Sequence, residues 1–176
     1  MCYPISSMGR HISVVPNHQL NRITSLHTRT NVAYFGTFGY ELDLNKLTDE
    51  EIAEVKAQII FMKEYRELIQ FGNFYRLKSP FDGNETVWMT VSEDKRKALV
   101  FWYRERNVVN AEFTRVRLQG LDPDLIYKNE YNGTENYGDE LMNLGLLTTD
   151  VTAGEPTNED LPCTDYESRI YVLTAE

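Results

Sequence analysis

The spacing of apolar residues changes at Gly72, and this change constrains the fold more than any other feature of the chain. Before Gly72, apolar residues recur every three or four positions over residues 49–71, which is the period of an amphipathic helix. After Gly72, apolar and polar residues alternate with a period of two, which is typical of half-buried strands. The sequence therefore predicts two domains of different architecture, residues 1–72 and residues 73–176.

The helix predicted over residues 49–71 carries the strongest local signal. Thr48-Asp-Glu-Glu51 is a capping box, in which the Thr48 hydroxyl and the Glu51 carboxylate each accept from the other residue's amide. Gly72 is predicted to end the helix in a left-handed conformation. The apolar face is predicted to consist of Ile52, Val55, Ile59, Met62, Leu68 and Ile69.

The remainder of residues 1–72 predicts a strand over 12–15, a helix over 22–35 and a second strand over 36–43. In the helix, Ile23, Leu26 and Val32 are predicted to share one face. Two βα units cannot cover both faces of their own parallel strands. We therefore expect this domain to be part of a larger parallel sheet.

Residues 73–176 predict an antiparallel β-sandwich of roughly seven strands. Val87, Met89 and Val91 are predicted to share a buried face, and Trp88 and Trp102 to be core residues. Strands are predicted over 73–78, 86–92, 98–104, 113–119, 125–128 and 166–173, with a helical turn and a buried strand within 137–146 and a polar loop over 148–162.

Composition excludes several classes of function. A net charge of −9 argues against nucleic-acid binding, which needs clustered Lys and Arg. No apolar run approaches the roughly 20 residues of a membrane-spanning helix. The two cysteines, Cys2 and Cys163, lie far apart and are predicted to be free thiols, so the sequence predicts a cytoplasmic protein without a metal or a cofactor.

Several segments, taken together and in order, resemble the C-terminal portion of bacterial α-galactosidases of glycoside hydrolase family 36. These segments are residues 3–9, 11–13, 15–19, 35–43, 69–72, 74–77, 137–142 and 167–172. The resemblance implies the last two βα units of a (β/α)8 barrel followed by an antiparallel β-sandwich. It also implies retaining hydrolysis of terminal α-galactosides of the melibiose and raffinose type in the intact enzyme.

Retaining hydrolysis uses two carboxyl groups about 5–5.5 Å apart. The resemblance implies that both lie upstream of the position matching Tyr3, so no catalytic residue is expected in this chain. The expectation is therefore a C-terminal fragment that is inactive by itself and that aggregates or depends on a partner fragment, because its strands expose apolar edges.

Four residues are predicted to bind substrate in the intact enzyme. Asn17 and His18 follow the first strand, at the end where barrel enzymes carry their active sites. Phe38 and Gly39 lie at or near the end of the second strand and are predicted to line the pocket. The galactoside oligosaccharide is thus the expected partner, together with a second copy of the chain in a homo-oligomer.

Other polar residues have structural alternatives. For His11 a packed or hydrogen-bonded role is favoured over a pocket role, and for Glu41 and Asp43 an ion pair or a strand-end cap is favoured. Arg10 departs from the family pattern, which has a small residue there, and a bulky cation can alter the approach of this loop to the pocket. His27 is predicted to be structural.

A different class of function stays open on the sequence alone. Residues 73–176 also fit a non-catalytic β-sandwich that binds carbohydrate, or one that only buttresses a barrel and mediates oligomer contacts. Sugar binding by the sandwich alone, through its tryptophans, would distinguish the first of these from the second.

Overall fold

The structure, a computed structural model, describes residues 3–108, 113–148 and 165–176. The chain divides into two compact units, Met1–Gly72 and Asn73–Glu176. Both cysteines, and all of the predicted polar loop except Thr148, lie outside the described residues.

The first unit has the predicted order of strand, helix, strand and helix. Strands β1 and β2 pair in parallel, with Gly9 opposite Thr37 and Ser13 opposite Glu41. The first strand spans Gly9–Ser13 and so begins and ends earlier than the predicted 12–15, because β2 pairs only with these five residues. The elements are a 3-10 turn Ile5–Ser7, β1 Gly9–Ser13, α1 Leu26–Ala33, β2 Thr37–Glu41, a 3-10 turn Leu44–Lys46 and α2 Asp49–Phe71.

Helix α2 has the predicted boundaries and begins at the predicted capping box. The Glu51 amide donates to Thr48 Oγ1 at 3.2 Å, and the Thr48 amide donates to Glu51 Oε2 at 2.9 Å. The prediction that Gly72 is left-handed is wrong, because its φ is −66° and its ψ is 165°. Strand β3 begins at the next residue, so the chain leaves the helix already extended.

The buried faces of the two helices are more polar than predicted. Helix α1 is shorter than the predicted 22–35, Ile23 precedes it and is 72% exposed, and Val32 is 40% exposed, so the predicted apolar face is wrong. The buried positions of α1 are Leu26, Thr28, Thr30, Asn31 and Ala33. On α2 the buried stripe is Val55, Gln58, Met62, Tyr65 and Ile69, while the other predicted positions are half-buried.

The buried Gln58 side chain joins α1, β2 and α2 through hydrogen bonds. Its Oε1 accepts from the Thr30 hydroxyl at 2.9 Å and from the Tyr40 hydroxyl at 2.7 Å. Its backbone carbonyl accepts from the Tyr34 hydroxyl at 3.2 Å, and its Nε2 donates to Glu54 at 2.6 Å. Burial, reinforced by nearby Glu54, raises the pKa of Tyr40 to about 12, and burial also raises the pKa of Tyr34. Both phenols therefore stay protonated donors at neutral pH.

The second unit is built on a six-stranded antiparallel sheet with the order β3-β4-β5-β10-β7-β8. This confirms the predicted antiparallel β architecture. The strand predicted over 113–119 is reduced to two residues, and β8 was not predicted. The elements of this unit are β3 Asn73–Lys78, β4 Glu85–Val91, β5 Lys97–Arg104, β6 Arg115–Val116, β7 Ile126–Asn129, β8 Glu135–Tyr137, α3 Gly138–Asn143, β9 Leu146–Leu147 and β10 Glu167–Ala175.

A hydrophobic core fills the space between the large sheet and the short β6–β9 pair of this unit. Val87, Met89 and Val91 belong to it, as predicted from their alternation. Val116 of β6 and Leu146 of β9 pack into the same cluster, so the pair forms a second layer over the sheet. Trp102, 1% exposed, is a core residue as predicted, whereas Trp88 is half-buried and meets Tyr103 edge to face with ring centroids 5.6 Å apart.

The Gln58 network generates a stability prediction. Gln58→Leu leaves the Thr30 and Tyr40 hydroxyls without their shared acceptor, so we expect a loss of about 1–3 kcal/mol in the free energy of unfolding. Urea denaturation followed by circular dichroism at 222 nm measures this loss. The control is Lys56→Leu, which places the same side chain at an exposed position of α2. Equal urea midpoints for the two variants would contradict the assigned role of Gln58.

A second prediction concerns the two glycines at β2. A Cβ on Gly36 would lie 2.4 Å from the Met8 carbonyl oxygen and 2.8 Å from Arg10 Cγ. That carbonyl is fixed, because it accepts from the Thr37 amide at 2.8 Å. We therefore expect Gly36→Ala to lower the stability by about 1–3 kcal/mol. Gly39→Ala is the control, since a Cβ there meets nothing within 4 Å, and thermal unfolding of both variants tests the difference.

Candidate functional site

The β1–β2 pair has two faces of opposite character. Residues in register on parallel strands project to the same side, and successive residues alternate. On one side Ile12 packs with the buried residues of α1 and α2, and Phe38 and Tyr40 lie against the same cluster. We call the opposite side the open face, and it consists of Gly9, His11, Ser13, Thr37, Gly39 and Glu41.

An ion pair lies on the open face. His11 Nε2 is 2.6 Å from Glu41 Oε2, and the two side chains are 56% and 72% exposed. This confirms the predictions that His11 is hydrogen-bonded and that Glu41 forms an ion pair. Gly39 lies directly opposite His11 and leaves open space beside the pair. The open face is therefore shallow there, with the His11–Glu41 pair near the end of β2.

Asn17 shapes the loop that follows β1. Its Oδ1 accepts from the amides of Gln19 at 3.0 Å and Leu20 at 3.1 Å. Its own amide donates to the Arg22 carbonyl at 2.9 Å, which closes the turn. His18 lies exposed within this turn, beyond the carboxyl end of β1. The predicted contact of Asn17 and His18 with a sugar stays a prediction.

Asp43 caps the short 3-10 turn that follows β2, as predicted. Its Oδ1 accepts from the backbone amide of Asn45 at 3.1 Å and from the Asn45 side chain at 3.0 Å. These two hydrogen bonds lower the pKa of the Asp43 carboxyl. The Asp43 carboxylate is therefore engaged in hydrogen bonds within its own turn.

The four predicted substrate-binding residues do not gather at one place. Gly39 lies on the open face, and Asn17 and His18 lie in the loop after β1. Phe38 projects to the helix side, where its ring stacks on Tyr34 with centroids 5.0 Å apart. On that side Phe38 is a packing residue of the unit, so we base no further argument for a pocket on it.

Arg10 also projects to the helix side, since it shares the parity of Ile12 and its side chain lies beside Gly36. The expectation that its bulk affects the approach of the loop to the pocket stays a prediction. Sequence reasoning did not include the His11–Glu41 pair in the site. The signal was available, because Glu41 is two residues from Gly39 and so has the same parity.

Within the described ranges, no helix combines the length and the apolar character needed to cross a membrane. The part of the chain that the structure describes also brings together no group of three or more His, Cys, Asp or Glu side chains able to hold a metal ion.

Family models match both units. The model described as Melibiase matches residues 1–72, and the model described as glycosyl hydrolase family 36 C-terminal domain matches residues 85–173. Among curated relatives, α-galactosidase AgaA of Geobacillus stearothermophilus is 51% identical over 83% of this chain and 20% of the relative. The bifunctional α-galactosidase/sucrose kinase AgaSK of Mediterraneibacter gnavus is 45% identical over 82% of this chain and 15% of the relative.

Solved structures agree with these matches. The GH36 α-galactosidase AgaA from Geobacillus stearothermophilus aligns over 99% of this chain and 23% of its own, with 45% identity and a TM-score of 0.89. The α-galactosidase from Lactobacillus brevis aligns over the same shares with 44% identity and a TM-score of 0.90. The chain thus spans about one fifth of the length of the curated relatives. Because the family 36 C-terminal domain covers half of its residues, the chain belongs to glycosyl hydrolase family 36.

Proposed function

We propose that this chain supplies the last two βα units of a (β/α)8 barrel and the C-terminal β-sandwich of an α-galactosidase. The intact enzyme hydrolyses terminal α-galactosides of the melibiose and raffinose type with retention. The proposal includes the domain division into residues 1–72 and 73–176, a cytoplasmic location and assembly into a homo-oligomer. The 176 residues by themselves are inactive.

The observation that carries the proposal is the one-sided cover of the β1–β2 pair. Parallel strands occur almost only in sheets with both faces covered. Here the buried cluster that Ile12 forms with residues of both helices lies on one side of the strand pair. The other side exposes His11 and Glu41. A solved relative of more than four times this length, matched over 99% of this chain, contains the same segment in a larger enzyme.

The substrate class follows from the relatives. Structures of AgaA variants from Geobacillus stearothermophilus include complexes with stachyose and with raffinose. Both sugars carry terminal α-galactosyl groups, which is the class we assign to the intact enzyme.

The carboxylates of the β1–β2 strand pair support the proposed inactivity of the chain alone. Retaining hydrolysis needs two carboxyl groups about 5–5.5 Å apart at the cleaved bond. Strands β1 and β2 carry only one carboxylate between them, Glu41, and it is paired with His11. Asp43 is held by its own turn. The strand pair therefore offers no pair of acids for the reaction.

The alternative of a sugar-binding sandwich receives less support. A tryptophan that stacks on a sugar must present its ring, but Trp102 is buried in the core of the second unit and the half-buried Trp88 meets Tyr103 edge to face. A supporting or oligomer-forming role of the sandwich is compatible with the proposed enzyme.

A hybrid enzyme tests the proposed function. The part of AgaA that precedes the matched segment is joined to this chain, and release of nitrophenol from an aryl α-galactoside is measured. We expect turnover by the hybrid and none by the purified chain. The control hybrid takes only residues 73–176 from this chain and keeps the barrel of AgaA. Turnover by the chain alone, or an inactive hybrid beside an active control, would contradict the proposal for residues 1–72.

A second prediction concerns solubility. The loops after β1 and β2 expose large apolar side chains, which include Val14, Leu20, Ile23 and Leu44. Because these exposed apolar side chains add to the apolar surface of the full chain, we expect it to aggregate more readily than residues 73–176 expressed separately. Size-exclusion chromatography of both at equal concentration measures the difference. A monomeric full chain, as soluble as the shorter one, would show that residues 1–72 need no further cover.

A further inference from the structure

Glu41 occupies a distinctive position on the strand pair. It is the last residue of β2 and lies in register with Ser13, the last residue of β1. It therefore marks the carboxyl end of both strands. Barrel enzymes of the (β/α)8 type build their active sites at this end, with helices outside the strands and side chains of the opposite face inside. The open face corresponds to the inside of such a barrel.

His11 supports the Glu41 carboxylate from the amino-terminal side. His11 is in register with Gly39, one open-face position before Glu41, and its Nε2 reaches Glu41 Oε2 at 2.6 Å. In the described part of the chain, this imidazole is the partner of the carboxylate. The contact holds one carboxylate oxygen, Oε2. Gly39 adds no side chain beside them, so there is space for a ligand.

The chemistry of the pair suits a sugar hydroxyl group. An ionised carboxylate only accepts hydrogen bonds, and a sugar hydroxyl can donate one. Hydrogen bonds to charged groups are stronger than those between neutral groups. Exposed ion pairs contribute little to stability, so the fold of this unit does not by itself require His11 and Glu41 at these positions.

We propose that Glu41 binds a hydroxyl group of the α-galactoside in the assembled enzyme, and that His11 is the positioning residue that orients its carboxylate. This inference rests on the proposed function and adds a substrate-binding residue to it. Glu41 is not assigned to bond cleavage, because its role is the same before and during the reaction.

The experiment uses the hybrid enzyme described above, with Glu41→Ala, Glu41→Gln and Glu93→Gln as the exposed control from the second unit. Loss of a charged hydrogen bond that is present throughout the reaction raises KM and leaves kcat nearly unchanged. We expect KM to rise about tenfold or more for Glu41→Ala, and less for the isosteric Glu41→Gln. Glu93→Gln should leave both constants unchanged.

Variants of His11 test the positioning role separately. His11→Ala is expected to raise KM less than Glu41→Ala does, and His11→Gln, which keeps a donor, is expected to restore part of the affinity. With Glu41 already replaced by Ala, replacing His11 should have no further effect on KM. Equal and additive effects of the two changes would show that His11 does not act through Glu41.

A binding measurement separates this inference from the proposed function. Calorimetry with 1-deoxygalactonojirimycin, the ligand of one AgaA complex, reports affinity without turnover. A hybrid that binds this ligand but hydrolyses nothing contradicts the proposed function, and a weaker affinity of its Glu41→Ala variant still supports the inference. Unchanged KM and unchanged affinity in the folded Glu41→Ala hybrid overturn the inference. A hybrid with neither turnover nor binding contradicts both.

Discussion

Parallel strands are almost always covered on both faces, and this constraint governs the first unit. Helices α1 and α2 cover only one side of the β1–β2 pair, where Ile12 is buried. The other side carries His11, Gly39 and Glu41, and no apolar side chain of either strand projects there. A face with small and polar side chains is not suited to packing against another layer of helices. It is suited to the inside of a barrel, at the end where a polar ligand binds.

The covered side depends on a polar centre as well as on apolar packing. Gln58 accepts from Thr30 of α1 and Tyr40 of β2, so one side chain fixes the spacing of three elements. Hydrogen bonds have directional requirements that apolar contacts lack. The network therefore helps to fix how α1 lies on the strand pair, whereas the alternation of side chains along β1 and β2 determines which residues reach the open face.

Sequence reasoning succeeded where the signal lay within one segment. It failed where the structure of a segment depends on a partner elsewhere in the fold. Helix α2 was predicted to the residue, because the Thr48 capping box and the spacing of its apolar residues lie within the segment itself. The apolar face of α1 was wrong, because its buried positions include two polar residues: Thr30, whose acceptor is Gln58 on α2, and Asn31, which hydrogen-bonds to His27 within the helix. Strand β8 was missed because it depends on pairing with β7. The predicted pocket role of Phe38 stays a prediction, although the parity of β2 and the stacking of its ring on Tyr34 show that it also packs on the helix side.

The His11–Glu41 pair has different consequences in the two contexts. In this chain it is exposed to water, where the high dielectric constant weakens the attraction of the pair. In the proposed barrel, where further strands would surround the pair, a desolvated carboxylate without a partner is costly, so the imidazole has the larger role of holding and orienting Glu41. Loss of His11 should therefore matter little to the isolated chain and much to the assembled enzyme. This difference between the isolated chain and the assembled enzyme distinguishes a positioning residue of a binding site from an exposed surface residue without a role in binding.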